Sequence, residues 1–302
     1  MSAAADAVAR FLPGFTHWRI EVNGVGINCA TAGQGPAVLL MHGHPHTLII
    51  WRKVAQRIVD AGYTVVATDL RGYGDSDKPE GGENHVNYSK REMARDQVGV
   101  MEALGHRRFH VIGHDRGGRV AHRMALDRPE AVASLTVIDI APTAVMYALT
   151  DKEFATRYFW WFFLIQPFDL PERMIGADVR YFLRNHIDGQ MADASAVDDE
   201  TFEEYLRCYA NPATIHSVCE DYRAAASIDL DHDAADAERK ISAPVLALWG
   251  AKGTVGKLFD VLGIWRDKAA HVEGAALDCK HSLQEELPEV FLDHVLAFLA
   301  KH

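Results

Sequence analysis

The sequence is poor in cysteine: four in 302 residues, at positions 29, 208, 219 and 279. None forms a CxxC pair, which argues against a disulfide framework or a zinc knuckle. Cys279 and His281 lie close together, but nothing nearby completes a metal set. Long apolar runs are also missing. The longest is Tyr158 to Ile165, far short of the roughly 18 residues a membrane span needs. Positive charge is in deficit, with 31 Lys and Arg against 42 Asp and Glu and a net charge of −11. That balance argues against nucleic acid or an anionic membrane as a partner. It also repels small anions, so an enzyme acting on one needs arginines at its site. The first residues include Asp6 and Arg10 and show no signal-peptide pattern, so a cytoplasmic protein is expected. No repeat or low-complexity segment is evident.

What is present is a large apolar fraction, 48%, enough for one sizeable domain with an insertion. Short, nearly continuous apolar runs recur at Ala37–Met41, Thr64–Thr68, Phe109–Ile112, Leu135–Ile140 and Val245–Trp249. Strands of a parallel sheet covered on both faces have this look. A last strand is expected at Ala270–Glu273. Arg19–Val22 and Ile27–Ala30, parted by Asn23-Gly24, suggest an opening hairpin. Helical spacing marks Arg91–Leu104, Gly118–Leu126 and Leu287–Leu299. The fold class is therefore α/β, a mostly parallel sheet with helices on both faces. The alternation breaks between about Pro142 and Arg239, giving an expected core of residues 1–141 and 240–302 and a helical cap of residues 142–239.

Gly113-His114-Asp115-Arg116-Gly117 follows a strand and precedes a helix. Glycines at these places permit the strained turn of a nucleophile elbow, which pushes the central side chain out at the top of a sheet. Here that side chain is Asp115 rather than the more common serine. Upstream, the run to Met41 enters His42-Gly43-His44-Pro45. In such an architecture an amide there, at His44, joins the amide after the nucleophile, at Arg116, as an oxyanion hole. Histidines at 42, 44 and 46 could suggest a metal site, but a backbone role suits this loop better. His281, between the last expected strand and the last helix, is the best-placed base. Asp139 is the favoured acid, because a charge inside an apolar run is costly unless paired; Asp260 is the alternative.

A carboxylate is a poor nucleophile for acyl transfer but a good one for displacement at saturated carbon, where it forms an alkyl ester. A histidine-activated water can then cleave that ester. Carbon–halogen bonds and epoxides are suitable electrophiles. Arg116 and Arg119, three residues apart at a helix start, suit a carboxylate-bearing substrate held by charge-assisted hydrogen bonds. A neutral epoxide needs no such pair. An epoxide hydrolase remains an alternative, with Tyr222 and either Tyr147 or Tyr158 protonating the oxide. So does a catalytically silent receptor for small acids.

The sequence resembles the fluoroacetate (haloacetate) dehalogenases of the α/β-hydrolase superfamily over nearly the whole chain. LLMHGHPHT (39–47), DLRGYGDSDKP (69–79), GHDRGGRV (113–120), IDIAPT (138–143), QPFDLPE (166–172) and CEDYRAAA (219–226) carry the likeness. GHDRGGR and CEDYRAA are the more specific of these. The resemblance implies Asp115 as nucleophile, His281 as base, Asp139 as acid and Arg116 with Arg119 as carboxylate clamp. It implies a halide site at Trp161 and Tyr222, with Trp160 standing where the family has a histidine. It further implies a small anionic haloacid as substrate, no cofactor and no metal, and a homodimer formed through the cap. A second departure is Lys280, where a glycine usually precedes the catalytic histidine.

Overall fold

The computed structural model describes residues 2–302. Its strands are β1 (Thr16–Val22), β2 (Val25–Ala32), β3 (Ala37–Met41), β4 (Thr64–Thr68), β5 (Phe109–His114), β6 (Val132–Ile138), β7 (Val245–Gly250) and β8 (Val272–Leu277). They form one sheet in the order β1-β2-β4-β3-β5-β6-β7-β8. β1 and β2 pair antiparallel across the Asn23-Gly24 turn, β2 meets β4 antiparallel, and all later pairs are parallel. The central strands β3 and β5 are wholly buried, as their unbroken apolar runs require.

Two boundaries differ from expectation. The last strand is Val272–Leu277 rather than Ala270–Glu273. As an edge strand bonded only to β7 it is half-exposed, so its sequence, VEGAAL, carries little apolar signal. β6 ends at Ile138, which leaves Asp139 just beyond the strand rather than inside it. A helix at Ala3–Phe11, capped by the Ser2 hydroxyl, was not anticipated. Between β6 and β7 lie only helices among the described residues, from Thr143 to Ala235. They reach the carboxyl ends of the strands, where side chains from both parts meet. No helix is long and apolar enough to cross a membrane among the described residues.

Candidate active site

The elbow is built from backbone. Asp115 has φ 46° and ψ −112°, a conformation that costs a non-glycine residue about 1–3 kcal/mol. Its N–H donates to the Ile138 carbonyl (3.2 Å), fastening the turn to β6. Helix Arg116–Asp127 then runs back against the sheet. A Cβ on Gly113 would come within 2.5 Å of the Gly117 carbonyl, so turn and helix can close only on glycine. Gly43 is constrained from the other side. A Cβ there would sit 2.5 Å from Asp115 Cβ and 2.8 Å from both Asp115 Oδ2 and the Arg116 amide. Asp115 therefore packs directly on the His42-Gly43-His44 loop. The His44 N–H donates to Asp115 Oδ2 (3.1 Å). The Arg116 N–H, first of its helix, has no intrahelical acceptor.

Asp115 is buried, which by itself opposes ionisation. The charges of His281, Arg119 and Arg116 outweigh burial and hold the carboxyl below the usual range. The His281 ring nitrogen Nδ1 donates to Asp139 Oδ2 (2.6 Å), and the Gly250 N–H donates to Asp139 Oδ1 (2.9 Å). Asp139 takes φ 52° to make both contacts. Burial pulls the His281 pKa down, but the Asp139 hydrogen bond and the charges of Asp139 and Asp115 raise it overall. Asp260 has no part here; it caps helix Val261–Lys268 through the Gly263 amide.

The loop carrying His281 is strapped to the helical insert. The His281 N–H donates to the Gln190 carbonyl (3.1 Å), and Lys280 Nζ donates to the Gly189 carbonyl (3.2 Å). Glu286 accepts from the Ala192 amide (2.6 Å), and Tyr205 donates to Glu285 (2.7 Å). Lys280 is not among the residues with positive φ, so this position does not need the glycine found in the family. His114 adds support. Its ring lies 4.5 Å from that of His281 and its Nε2–H donates to the His281 carbonyl (3.0 Å). Burial drives His114 down to about 3, so it stays neutral there.

The two arginines are arranged differently from a pair of open forks. Arg116, fully buried, spends Nε and Nη2 on Asp221 at 2.8–2.9 Å. Arg119 gives Nη1 to the Ala141 carbonyl and the Thr143 hydroxyl (3.0 Å each) and Nη2 to Met146 Sδ. Each keeps one unpartnered buried nitrogen, Arg116 Nη1 and Arg119 Nε. Each guanidinium thus spends most of its N–H groups within the chain and leaves one nitrogen for a substrate. Arg116 also lies 4.1 Å from the Tyr222 ring and Arg119 4.6 Å from the Trp161 ring, which brings those two cap residues to the elbow. Trp160 Nε1, Trp161 Nε1 and the Tyr222 hydroxyl have no hydrogen-bond partner among the described residues, and all three residues are buried. Tyr147 sits beside Trp161 at 5.1 Å with its hydroxyl buried and unpartnered.

A cavity of about 480 Å³ reaches His281 past Tyr158, Trp160, His186 and Gln190. Its walls also include exposed Arg157, Lys252 and Lys257 and half-buried Lys280, with no carboxylate among the lining residues. Four contributors escaped the sequence reading in these roles. Asp221 lay inside the quoted CEDYRAAA segment without an assignment, and with Glu220 and Arg223 beside it nothing in the sequence marks it as the partner of Arg116. Tyr158 appeared only as an epoxide-hydrolase candidate, and its phenol is electrostatically coupled to Asp115 and Asp139. His114 and His186 carry no sequence signal that separates them from other histidines.

Residues 36–288 match the family described as alpha/beta hydrolase fold. The chain is 44% identical to a fluoroacetate dehalogenase from Burkholderia sp. over 91% of each chain. It is 33% identical to a soluble epoxide hydrolase from Corynebacterium sp. (strain C12), covering 94% of this chain and 97% of that one. Among solved structures, a Salmonella enterica protein provisionally described as an acyltransferase superposes with a TM-score of 0.95 at 56% identity, covering 96% of this chain and 97% of that one. With an aspartate at the elbow and this extent of identity, the chain belongs to the fluoroacetate (haloacetate) dehalogenase family of the α/β-hydrolases.

Proposed function

We propose that this protein hydrolyses haloacetates to glycolate and halide through an ester on Asp115, without a cofactor, residues 142–239 acting as a cap over the site. The observation that carries the reading is a buried elbow aspartate, its carboxyl held below the usual range, beside two arginines that each keep one unpartnered nitrogen. Those two nitrogens donate to the substrate carboxylate and offset its repulsion by Asp115. The Asp115 oxygen not held by His44 attacks C2, and the carbon–halogen bond breaks with its electron pair going to the halide. Trp160, Trp161 and Tyr222 offer donors to that charge without adding a carboxylate.

Ester formation removes the Asp115 charge, one of the causes that raise the His281 pKa. Its loss lowers that pKa and favours the neutral ring, the form able to take a proton at the step that needs one. It takes a proton from water, hydroxide attacks Cγ of Asp115, and the oxyanion develops on Oδ2 toward the His44 and Arg116 amides. Collapse expels the glycolate oxygen, which recovers the proton from His281, and Asp115, left as the acid, releases its proton to solvent. The name of the Burkholderia relative supports this chemistry. One turnover in heavy-oxygen water with excess enzyme is expected to label the Asp115 carboxylate. Label found only in glycolate would show direct attack by water and end the proposal.

A second reading, epoxide hydrolysis, has its own support. Tyr158 and Tyr222 are both buried, and the Asp115 charge acts on both phenols; the Corynebacterium relative is named for that activity. Turnover of styrene oxide without halide release from chloroacetate would favour it.

A further inference from the structure

Six aromatic side chains close a circuit over the elbow. Ring centroids are 5.6 Å apart from Tyr222 to His44, 4.6 Å from His44 to His186, and 4.6 Å from His186 to Trp160. The circuit returns through Tyr158, 4.7 Å from Trp160, and Trp161, 6.1 Å from Tyr158 and 6.4 Å from Tyr222. Arg116 and Arg119 lie against Tyr222 and Trp161, so they mark one edge of the ring. The edge opposite is His186–Trp160. A haloacid whose carboxylate is held at the arginine edge turns its halogen into the ring, between the Trp161 and Tyr222 donors and the His186–Trp160 edge.

His186 is equipped to meet it. Its Nε2 lies 2.7 Å from Nε2 of Gln190. An amide nitrogen can only donate, so His186 Nε2 is the acceptor and the ring proton resides on Nδ1. Nδ1 has no partner within the chain, and the ring lines the cavity that reaches His281. Burial pushes His186 down to about 3, leaving a neutral ring with one N–H.

We propose that His186 Nδ1–H donates to the departing halide, that Gln190 fixes the tautomer which makes this possible, and that the pair sets discrimination between fluoride and heavier halides. The proposal rests on the haloacetate reading. Fluoride, small and strongly basic, depends most on a short hydrogen bond as charge develops, and bromide depends least.

The test compares kcat/KM on fluoro-, chloro- and bromoacetate for the unmodified enzyme, His186→Phe, His186→Asn and Gln190→Leu. His186→Phe is expected to lose at least tenfold more on fluoroacetate than on bromoacetate. Gln190→Leu should shift the ratio the same way by less, and His186→Asn, which keeps an N–H, should retain more of it. Equal losses on all three acids would mark a structural role and overturn the assignment. A second arm needs no turnover: bromide is titrated into Asp115→Asn and followed by tryptophan emission. Adding His186→Phe should weaken saturable binding tenfold or more; no saturable binding, or an unchanged affinity, would also overturn it. Failure of every haloacetate with the unmodified enzyme would refute the proposed function, while the bromide arm still decides the role of His186.

Discussion

The two halves of the site are built by different means. The core half (Asp115, Asp139, His281) hangs from the ends of β5 and β6 and from a loop after β8, and backbone groups fix its members: Ile138 O, His44 N–H, Gly250 N–H and Gln190 O. The other half is made of large rings that position one another, mostly edge to face. Backbone-fixed groups have few alternatives when one is removed, whereas packed rings can shift. Losses in the core should therefore be near total and independent of substrate. Losses in the cap should be graded and should depend on the leaving group or the substrate charge.

The largest effects test the core. Asp115→Ala is expected to abolish halide release, and His281→Asn to lower kcat by about 10⁴-fold or more while trapping the ester as a mass increase on the enzyme. An untrapped, active His281→Asn would remove the histidine from the mechanism. Asp221→Ala should be the most damaging change on the cap side, because it leaves buried Arg116 and Lys90 without their shared carboxylate. Breaking such a pair costs about 3–5 kcal/mol, read as a lower denaturant midpoint. Next comes Arg119→Ala, expected to cost roughly 2–5 kcal/mol in kcat/KM on chloroacetate and less on chloroacetamide; equal losses on acid and amide would deny a role in binding charge.

Proton linkage sharpens the same contrast. His281 has a raised pKa in the free enzyme, so it contributes stability below the unfolded value near 6.5 that fades as pH rises through the folded value. Asp115 works oppositely: its lowered pKa contributes stability above about 3.8 that is lost as pH falls through the folded value. In the proposed mechanism displacement needs only ionised Asp115, while ester hydrolysis needs neutral His281. Acid-quenched samples should accordingly carry more ester as pH falls from 8 toward 5; a constant fraction would uncouple His281 from hydrolysis. The smallest effect concerns the cavity mouth. Lys257→Gln combined with Lys252→Gln should lower kcat/KM for chloroacetate a few-fold at low salt and flatten its salt dependence, with chloroacetamide unaffected.

The same division governs what the sequence made legible. The elbow, the His44 loop and the parallel sheet could be read because glycine spacing and apolar runs are direct consequences of backbone geometry. Asp139 was legible for its cost, a charge in apolar surroundings, although it sits past the strand rather than within it. β8 was misplaced because an edge strand needs little apolar content. In the cap, the resemblance pointed to Trp160, Trp161 and Tyr222, yet the ring that joins them to His44, Tyr158 and His186 depends on contacts between distant helices. The division of labour within each arginine was equally invisible, since it is set by Asp221, Ala141 and Thr143.

The strap between Gly189–Asp193 and the loop at 280–286 bears on how such enzymes can be recombined. A helical insert would ordinarily be treated as an interchangeable part, swapped between relatives to change substrate range. Here the amide of His281 itself is anchored on the insert, so a foreign segment would have to place its own carbonyls where Gly189 and Gln190 hold Lys280 and His281. A chimera should inherit a misaligned histidine along with its new pocket, unless the residues from Gly189 to Asp193 travel with the core.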